Sequence, residues 1–212
     1  VFRNASYGRG WADNRLNLEG LLALARRWDE RGDSFDGVFD TKITLWEAAT
    51  RIARAGRAMP MYFAGVVEVL RDEPRAVPTL LLGPPHILQG SLKIDYSFPS
   101  YDNPDNVLVE YTNPNTWEPQ TVACAMAGSA QQRPKTVQLH GVISREQAFR
   151  EGMYMIACHR DQRKFVTVQV EMEGYIPRYG DPHLRCAPVA GHRRCRGTGV
   201  RPVGGLYAYR SR

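Results

Sequence analysis

The sequence predicts an α+β fold that is mainly antiparallel β, with two or three inserted amphipathic helices. Apolar residues recur at helical spacing between Leu16 and Trp28 and again after Thr44, and a third helix is expected over 144–163. Between the second and third helices, apolar and polar residues alternate in short runs that Pro, Gly and Asn separate. The two periods together indicate helices set into a β-rich chain.

Each predicted helix has signals for its ends. The first pattern stops at Gly32, and glycine is typical of helix C-termini. Thr44, with a glutamate three residues later, forms a capping box that begins the second helix, and Gly56 ends it. Ser144 followed by Gln147 repeats the box, so we expect the third helix to begin there.

The β-rich part is predicted to contain a hairpin around Gly65 and several further strands. The predicted strands are Met61–Ala64, Val66–Leu70, Thr79–Leu82, Ile87–Tyr96, Val107–Thr112, Thr121–Ala125 and Thr136–Leu139. A last strand follows the third helix, with Val166, Val168, Val170 and Met172 expected on its buried face. These runs predict sheets with one face in a core.

The changes of pattern predict three segments along the chain. Residues 1–60 form a helical segment, 61–181 a β-rich domain, and 182–212 a basic tail without a convincing period. The tail holds seven of the 28 basic residues and no acidic residue. The body of the chain, residues 1–181, therefore holds 21 basic and 22 acidic residues. Because the body is neutral, nucleic-acid binding by the folded part is not expected.

Several other classes are disfavoured by composition. No apolar run approaches the ~18 residues that a membrane helix needs. Cys124 and Cys158 lie among apolar residues and are expected to be reduced, buried side chains. The chain opens on Val1 without a methionine, so we expect a piece of a longer protein.

The tail contains one candidate metal site. His183, Cys186, His192 and Cys195 are residue types that bind tetrahedral zinc. However, the spacer between the two pairs is shorter than the dozen or so residues that such sites usually have. Chance grouping in a biased tail is favoured, and no cofactor is expected.

Two groups of acidic residues have side chains of the types that calcium sites and hydrolases use. Asp102 and Asp105 supply oxygen ligands suited to calcium, but without the EF-hand spacing, so a turn is favoured. Asp33, Asp36 and Asp40 contain the carboxylates that acid–base hydrolysis requires, within what resembles a loop with capping acids. Neither group predicts an enzyme.

The third predicted helix offers candidate subunit contacts. Ala148 and Gly152 are four residues apart, so one side of the helix is thin enough for a neighbouring backbone to approach. Met155 and His159 lie on the same side, and these four residues are the interface candidates. Cys158 adjoins His159 in sequence but points about 100° away, which disfavours a Cys–His nucleophile.

Residues 145–181, REQAFREGMYMIACHRDQRKFVTVQVEMEGYIPRYGD, resemble a segment of the tail tip attachment proteins of long-tailed phages, the host-specificity protein J group. Related hub or baseplate proteins occur in prophages and gene transfer agents. The matching positions are Arg145–Ala148, Arg150–Gly152, Tyr154, Ala157, Arg160, Glu171–Gly174, Pro177 and Gly180-Asp181. Upstream, 31–40, 45–48 and 52–58 resemble the same family, so the likeness covers about residues 1–181.

The resemblance implies a structural protein of the virion. Such proteins form a homotrimeric central hub of β-barrel-like domains with inserted helices at the end of the tail tube. They act in tail assembly, host attachment and DNA ejection, with other tail-tip and tail-tube proteins and a host receptor as partners. The resemblance implies a virion tail location, with host cytoplasm during assembly, and no enzyme activity.

Two alternatives remain open, and the tail is a separate question. The alternatives are a tail-associated cell-wall hydrolase domain and a nucleic-acid binder that uses the Arg-rich tail. After Gly180-Asp181 the family's expected apolar strand is replaced by Pro182-His183-Leu184. We interpret 182–212 as a frameshifted reading of the gene, a hypothesis that resequencing the coding DNA tests.

Overall fold

The computed structural model describes residues 2–6, 8–74, 77–98, 103–177, 180–189, 192–203 and 206–211, with backbone only from 182 onward. Its helices are α1 Leu18–Arg31, α2 Leu45–Ala55 and α3 Arg145–Asp161. Its strands are β1 Ala58–Phe63, β2 Val66–Arg71, β3 Leu80–Leu82, β4 Lys93–Tyr96, β5 Asn106–Thr112, β6 Pro119–Ala125, β7 Pro134–Gln138, β8 Lys164–Val168, β9 Pro182–Val189, β10 His192–Val203 and β11 Leu206–Ser211. The predicted α+β class is confirmed.

The chain divides into two compact units, and each unit combines two separate segments. The first unit consists of Val1–Asp72 and Pro104–Ile156, and the second consists of Glu73–Asn103 and Ala157–Arg212. The sequence predicted consecutive segments, 1–60, 61–181 and 182–212. The predicted segments stay a prediction.

The first unit contains two small sheets and all of α1 and α2. Strands β1 and β2 form the predicted antiparallel hairpin, with Phe63 opposite Val66. Its two turn residues, Ala64 and Gly65, have φ of 49° and 85°, the left-handed pair that matches the twist of a tight hairpin. The second sheet has the order β6-β5-β7, in which β5 pairs antiparallel with β6 and parallel with β7.

The main core of the first unit lies between α3 and the β6-β5-β7 sheet. Val107, Val109 and Cys124 of the sheet are fully buried, and they form one cluster with Ala148 and Ile156 of α3. The alternation predicted for 107–112 and 121–125 directs these side chains to one face. This packing fixes α3 on the sheet.

The second unit is built on one six-stranded sheet. Its strand order is β3-β9-β10-β11-β8-β4, and Leu82, Val166 and Val168 form its buried cluster. Strands β9, β10 and β11 fall in 182–212, the segment for which the sequence indicated no fold. The β-barrel-like closure implied by the family is not seen among the described strands, whose sheets are open.

Two predicted strands were wrong in extent. Within Ile87–Tyr96, Ile87 makes an isolated bridge, Gly90 turns the chain at φ 81°, and only Lys93–Tyr96 forms a strand. The strand after α3 ends at Val168, and Met172 begins a 3-10 turn with 81% of its surface exposed. Alternating apolar residues continued in both segments, but no neighbouring strand pairs with their whole length.

The predicted helix ends are confirmed at α1 and α2. Gly32 caps α1 in the left-handed region at φ 65°, and the Thr44 hydroxyl accepts the Glu47 amide at 3.2 Å. The reciprocal half of the box is not formed, because the Glu47 carboxylate pairs with Arg51 instead. Among the described helices, none combines the length and apolar character needed to cross a bilayer.

Candidate functional site

Charged side chains from the end of α1, the loop after it, the turn after α2 and α3 itself meet in the first unit. We call this group the ion cluster; its members are Arg31, Asp33, Arg57, Arg150 and Glu151. The side chains of Asp33 and Glu151 are 2% and 3% exposed. Buried carboxylates are stable only when paired, so the geometry of the cluster decides whether it holds the fold together.

Arg57 and Glu151 form the central pair. Arg57 follows α2 at a left-handed φ of 57°, and its guanidinium donates to both oxygens of the Glu151 carboxylate at 2.9 Å. The Tyr154 ring lies under the same guanidinium, with its centroid 3.8 Å from Cζ. Two parallel hydrogen bonds and a cation–π contact attach the turn after α2 to α3.

Asp33 is held by two arginines. The Arg31 Nε donates to its carboxylate at 2.8 Å and the Arg150 Nη2 at 2.6 Å. Burial acts to raise the pKa of Asp33, but the hydrogen bonds and charges of Arg31 and Arg150 outweigh it and hold that pKa below the ordinary value. A carboxyl kept ionised in this way is poorly suited to act as a general acid.

Gln147 connects three segments through its amide. The side chain is fully buried; its oxygen accepts the Ser34 amide at 3.1 Å, and its nitrogen donates to the Ser34 and Ala55 carbonyls at 3.1 and 2.9 Å. The Ser144 hydroxyl accepts the Gln147 amide at 3.4 Å, as the capping box predicted. The prediction that the Gln147 side chain would close that box was wrong, because it binds the two loops instead.

The end of β2 is joined to the same region. The Tyr154 hydroxyl donates to the Asp72 carboxylate, and the Arg71 Nε donates to the Gly56 carbonyl at 3.2 Å. Burial lowers the pKa of Arg71, and the charges of Arg31 and Arg57 lower it further. The ion cluster and the Tyr154–Asp72 bond together hold the ends of α1, α2 and β2 against one side of α3. We call this arrangement the structural joint.

The sequence did not identify this joint. Gln147, Glu151 and Tyr154 lie on one side of α3, and the apolar residues used to predict its buried side lie on another. The available signal was that polar residues recur at i, i+4 and i+7 beside an apolar stripe, which is typical of a helix covered on two sides.

The four interface candidates occupy different environments. Ala148 is fully buried, and a Cβ on Gly152 would lie 2.4 Å from the Cys124 sulfur. The backbone that packs closely against these two residues belongs to the β6-β5-β7 sheet of the same chain, so neither residue is open to another subunit. Met155 is partly buried against the same core, and His159 is exposed. A subunit contact at Met155 or His159 stays a prediction.

The other candidates are dispersed or lie outside what is described. The candidate zinc ligands His183, Cys186, His192 and Cys195 fall in the segment of which only the backbone is described. In the antiparallel register of β9 and β10, the Cys186 and Cys195 positions lie opposite each other. Among the described residues, no three His, Cys, Asp or Glu side chains converge as metal ligands.

The acidic candidates for chemistry are engaged in local structure or exposed. Asp102 lies outside the described residues, and the Asp105 carboxylate accepts the amides of Gln132 and Arg133 at 3.0 and 2.8 Å. Asp36 accepts the Ser34 hydroxyl at 2.9 Å, and Asp40 is exposed. Asp105 therefore orders a turn, as the sequence favoured.

The Asp33 pair has a testable pH dependence. Because the pKa of Asp33 is lowered on folding, its ionised form stabilises the protein above its unfolded value near 4, and this stability is lost as pH falls through the folded pKa. We expect Asp33→Asn to destabilise the chain at neutral pH and the difference from wild type to shrink below about pH 4. Urea unfolding across that range measures it.

Asp36→Asn is the matched control for that experiment. Asp36 is exposed and accepts a hydrogen bond from Ser34, so its substitution is expected to leave both the stability and its pH profile nearly unchanged. A stability gap between Asp33→Asn and wild type that stayed constant or widened in acid would contradict the ionised pair.

The fold is similar to that of a bacterial tail protein and of a chain from a gene transfer agent virion. The crystal structure of the tail protein from Neisseria meningitidis MC58 superposes with a TM-score of 0.52 at 15% identity, over 92% of this chain and 65% of that chain. A chain from the virion of a native gene transfer agent particle superposes with a TM-score of 0.52 at 16% identity, over 98% of this chain and 53% of that chain. The chain thus spans less than two thirds of each.

These likenesses concern the fold. No protein-family model and no curated protein matches the sequence. At such identities the shared fold does not transfer a function, because unrelated functions occur on one fold.

Proposed function

We propose that this chain is a structural component of a phage or prophage tail tip, where it forms part of the central hub. The observation that carries the proposal is the likeness to a chain of a gene transfer agent virion over 98% of this chain. The resemblance of residues 1–181 to tip attachment proteins points to the same place. The role is architectural: tail assembly, host attachment and DNA ejection, without catalysis.

The ion cluster supports an architectural role. Both of its buried carboxylates are paired with arginines of the same unit, so its charges hold elements of that unit together. We propose other tail-tip and tail-tube proteins as partners, three copies in a ring, and a host receptor reached through parts of the protein outside this chain. The location is the virion tail, after assembly in the host cytoplasm.

Deleting the coding gene in the strain that carries it tests the proposal. After induction of the particle, electron microscopy is expected to show tails without a completed tip, or no tails, because the distal end of the tube lacks its closing hub. Supplying the wild-type gene in trans is expected to restore complete tails. Normal, infective or transducing particles from the deletion strain would overturn the proposal.

The hydrolase alternative has its own measurement. The purified chain incubated with cell-wall material is expected to release no soluble fragments, because the Asp33 carboxylate is 2% exposed and both of its arginine partners occupy it. Release that Asp33→Asn or Asp36→Asn abolished would establish an enzyme in place of a hub.

A further inference from the structure

The pairing of β9 with β10 brings two cysteine positions to the distance of a disulfide. In this antiparallel register the Cys186 position lies directly opposite the Cys195 position. The Cα atoms of directly opposite residues in such a ladder are about 4.5–5.5 Å apart. Disulfides join Cα atoms that are about 4.4–6.8 Å apart, so one bond can bridge these two positions.

The same register separates the two histidines that the sequence grouped with these cysteines. His183 lies three residues before Cys186, and His192 lies three residues before Cys195. Because successive residues of a strand alternate between the two faces of a sheet, positions three apart lie on opposite faces. His192 also lies opposite Val189, which places it about 20 Å from His183 along the strands. The register thus favours a bond between the two cysteines over a metal site with all four ligands.

The cysteine pair marks the point where β9 and β10 lose their other neighbours. Strand β3 pairs with β9 only as far as Arg185, and β11 pairs with β10 only from Thr198 onward. In the described part of the chain, 186–189 and 192–195 therefore pair with each other alone. We call these two segments the outer hairpin. A two-stranded hairpin without neighbours is marginally stable in water, so a further link would have a large effect here.

Charge opposes strand pairing at the same place. Arg185 lies directly opposite Arg196, next to the cysteine pair, and Arg193 and Arg194 belong to the outer hairpin. Residues 182–212 contain no acidic residue that offsets these charges within the segment. Like charges directly opposite each other destabilise an antiparallel pair. A covalent bond beside them would hold the two strands in register against this repulsion.

We propose that Cys186 and Cys195 form an intrachain disulfide that holds the outer hairpin in register. One cysteine thiolate attacks a sulfur of a small-molecule disulfide such as oxidised glutathione, and a first small thiol leaves. The other cysteine thiolate attacks the cysteine sulfur of this mixed disulfide, the bond between the two cysteines forms, and a second small thiol leaves. The two cysteine sulfurs are oxidised, the small disulfide is reduced, and the two cysteine protons go to the released thiols. The proposal is independent of the tail role, because both cysteines belong to this chain.

The remaining cysteines are less suited to this bond. Cys124 is fully buried, and burial raises the pKa of its thiol, which disfavours the reactive thiolate. Cys158 is a free thiol within α3. Cys186 and Cys195 are also the nearest pair of cysteines along the chain, so the loop that their bond closes costs the least entropy.

Oxidation of the purified full chain tests the pairing. The chain is incubated with oxidised glutathione, denatured, alkylated with N-ethylmaleimide and weighed by mass spectrometry. Of its four cysteines, we expect only Cys124 and Cys158 to be alkylated, and all four to be alkylated after reduction. Trypsin is expected to release peptide 186–193 linked to peptide 195–196, because arginines flank both cysteines.

A shifted cysteine separates the effect of the register from nearness along the chain. Cys195→Ser combined with Arg194→Cys changes the loop by one residue but moves the cysteine to a position opposite Ala187, on the other face of β10. We expect this variant to form the bond at least about tenfold more slowly than wild type in native buffer, and at a similar rate in urea. Cys158→Ser is the matched control and is expected to form the bond at the wild-type rate.

Hydrogen exchange measures what the bond does to the outer hairpin. The amides of 186–189 and 192–195 are expected to exchange about tenfold more slowly in the oxidised than in the reduced chain, because the link removes open states of the hairpin. Strands β5 and β6 of the first unit are the internal reference and should exchange equally in both. Equal exchange of the outer hairpin in the two states would contradict its stabilisation by the bond.

The other contrary outcomes concern the bond itself. Alkylation of all four cysteines after oxidation overturns the proposal, as does a bond from Cys186 or Cys195 to Cys158 or to a second chain. Equal rates for wild type and the shifted variant in native buffer would show that the register does not select the pair. One zinc ion retained per purified chain and lost in Cys195→Ser would establish a metal site in its place. None of these results bears on the tail role, which the gene deletion tests separately.

Discussion

Glu151→Ala is expected to lower the free energy of unfolding by about 3–5 kcal/mol. The substitution leaves the guanidinium of Arg57, whose side chain is 19% exposed, without the carboxylate that accepts both of its hydrogen bonds. It also removes the anion that lies 3.8 Å from Arg31. Breaking one partner of a buried pair leaves an uncompensated charge, which costs more than the intact pair contributes. Urea unfolding measures the change.

Glu47→Ala is the matched control for this variant. Glu47 pairs with Arg51 at 2.8 Å, but both side chains are exposed, at 48% and 39%. Exposed pairs one helical turn apart contribute about 0.3–0.5 kcal/mol, so the control is expected to change stability by no more than that. Similar losses from the two variants would show that the burial of the Arg57–Glu151 pair has no special effect.

Gly152→Ala is expected to destabilise the chain by about 1–3 kcal/mol, although alanine is the better helix former. The added Cβ would lie 2.4 Å from the Cys124 sulfur and 2.7 Å from a methyl carbon of Val109. The sheet and α3 must separate or distort to admit it, because the core around them is already filled. Thermal or urea unfolding gives the value.

A second substitution tests the cause of that loss. Cys124→Ala removes the nearest clashing atom, so adding it to Gly152→Ala is expected to cost less than the sum of the two single changes. Glu146→Ala, at an exposed position of α3, is the control and should stay within about 0.5 kcal/mol of wild type. Additive losses would mean that the sulfur contact does not limit the packing.

Local signals in the sequence were enough for the helices and the first hairpin. Gly32 ends α1 and Thr44 begins α2 because a left-handed glycine and a hydroxyl satisfy backbone groups within a few residues. Gly65 indicated the turn between β1 and β2 because glycine adopts the left-handed backbone without a steric cost, whereas Ala64, predicted as the end of the strand, lies in the turn. Such features depend on neighbours along the chain, so one sequence specifies them.

Pairing over long separations was not accessible in this way. Gln147 binds Ser34 across 113 residues, and Arg57 binds Glu151 across 94. The sequence around one residue of such a pair does not identify the other, because an amide or a carboxylate on a helix is equally suited to solvent. The pairs form only when the sheet places α3 against the ends of α1 and α2.

The sequence by itself determined the α+β class, the positions of the three helices and the alternation that buries Val107, Val109 and Cys124. These follow from periods of 3.6 and 2, which each element carries in its own residues. Only the tertiary structure shows that the β6-β5-β7 sheet of the same chain packs against Gly152. It also shows that the charged side of α3 binds the ends of α1 and α2. It also places Trp117, Trp46 and Tyr62 at the surface, because exposure depends on what the rest of the chain covers.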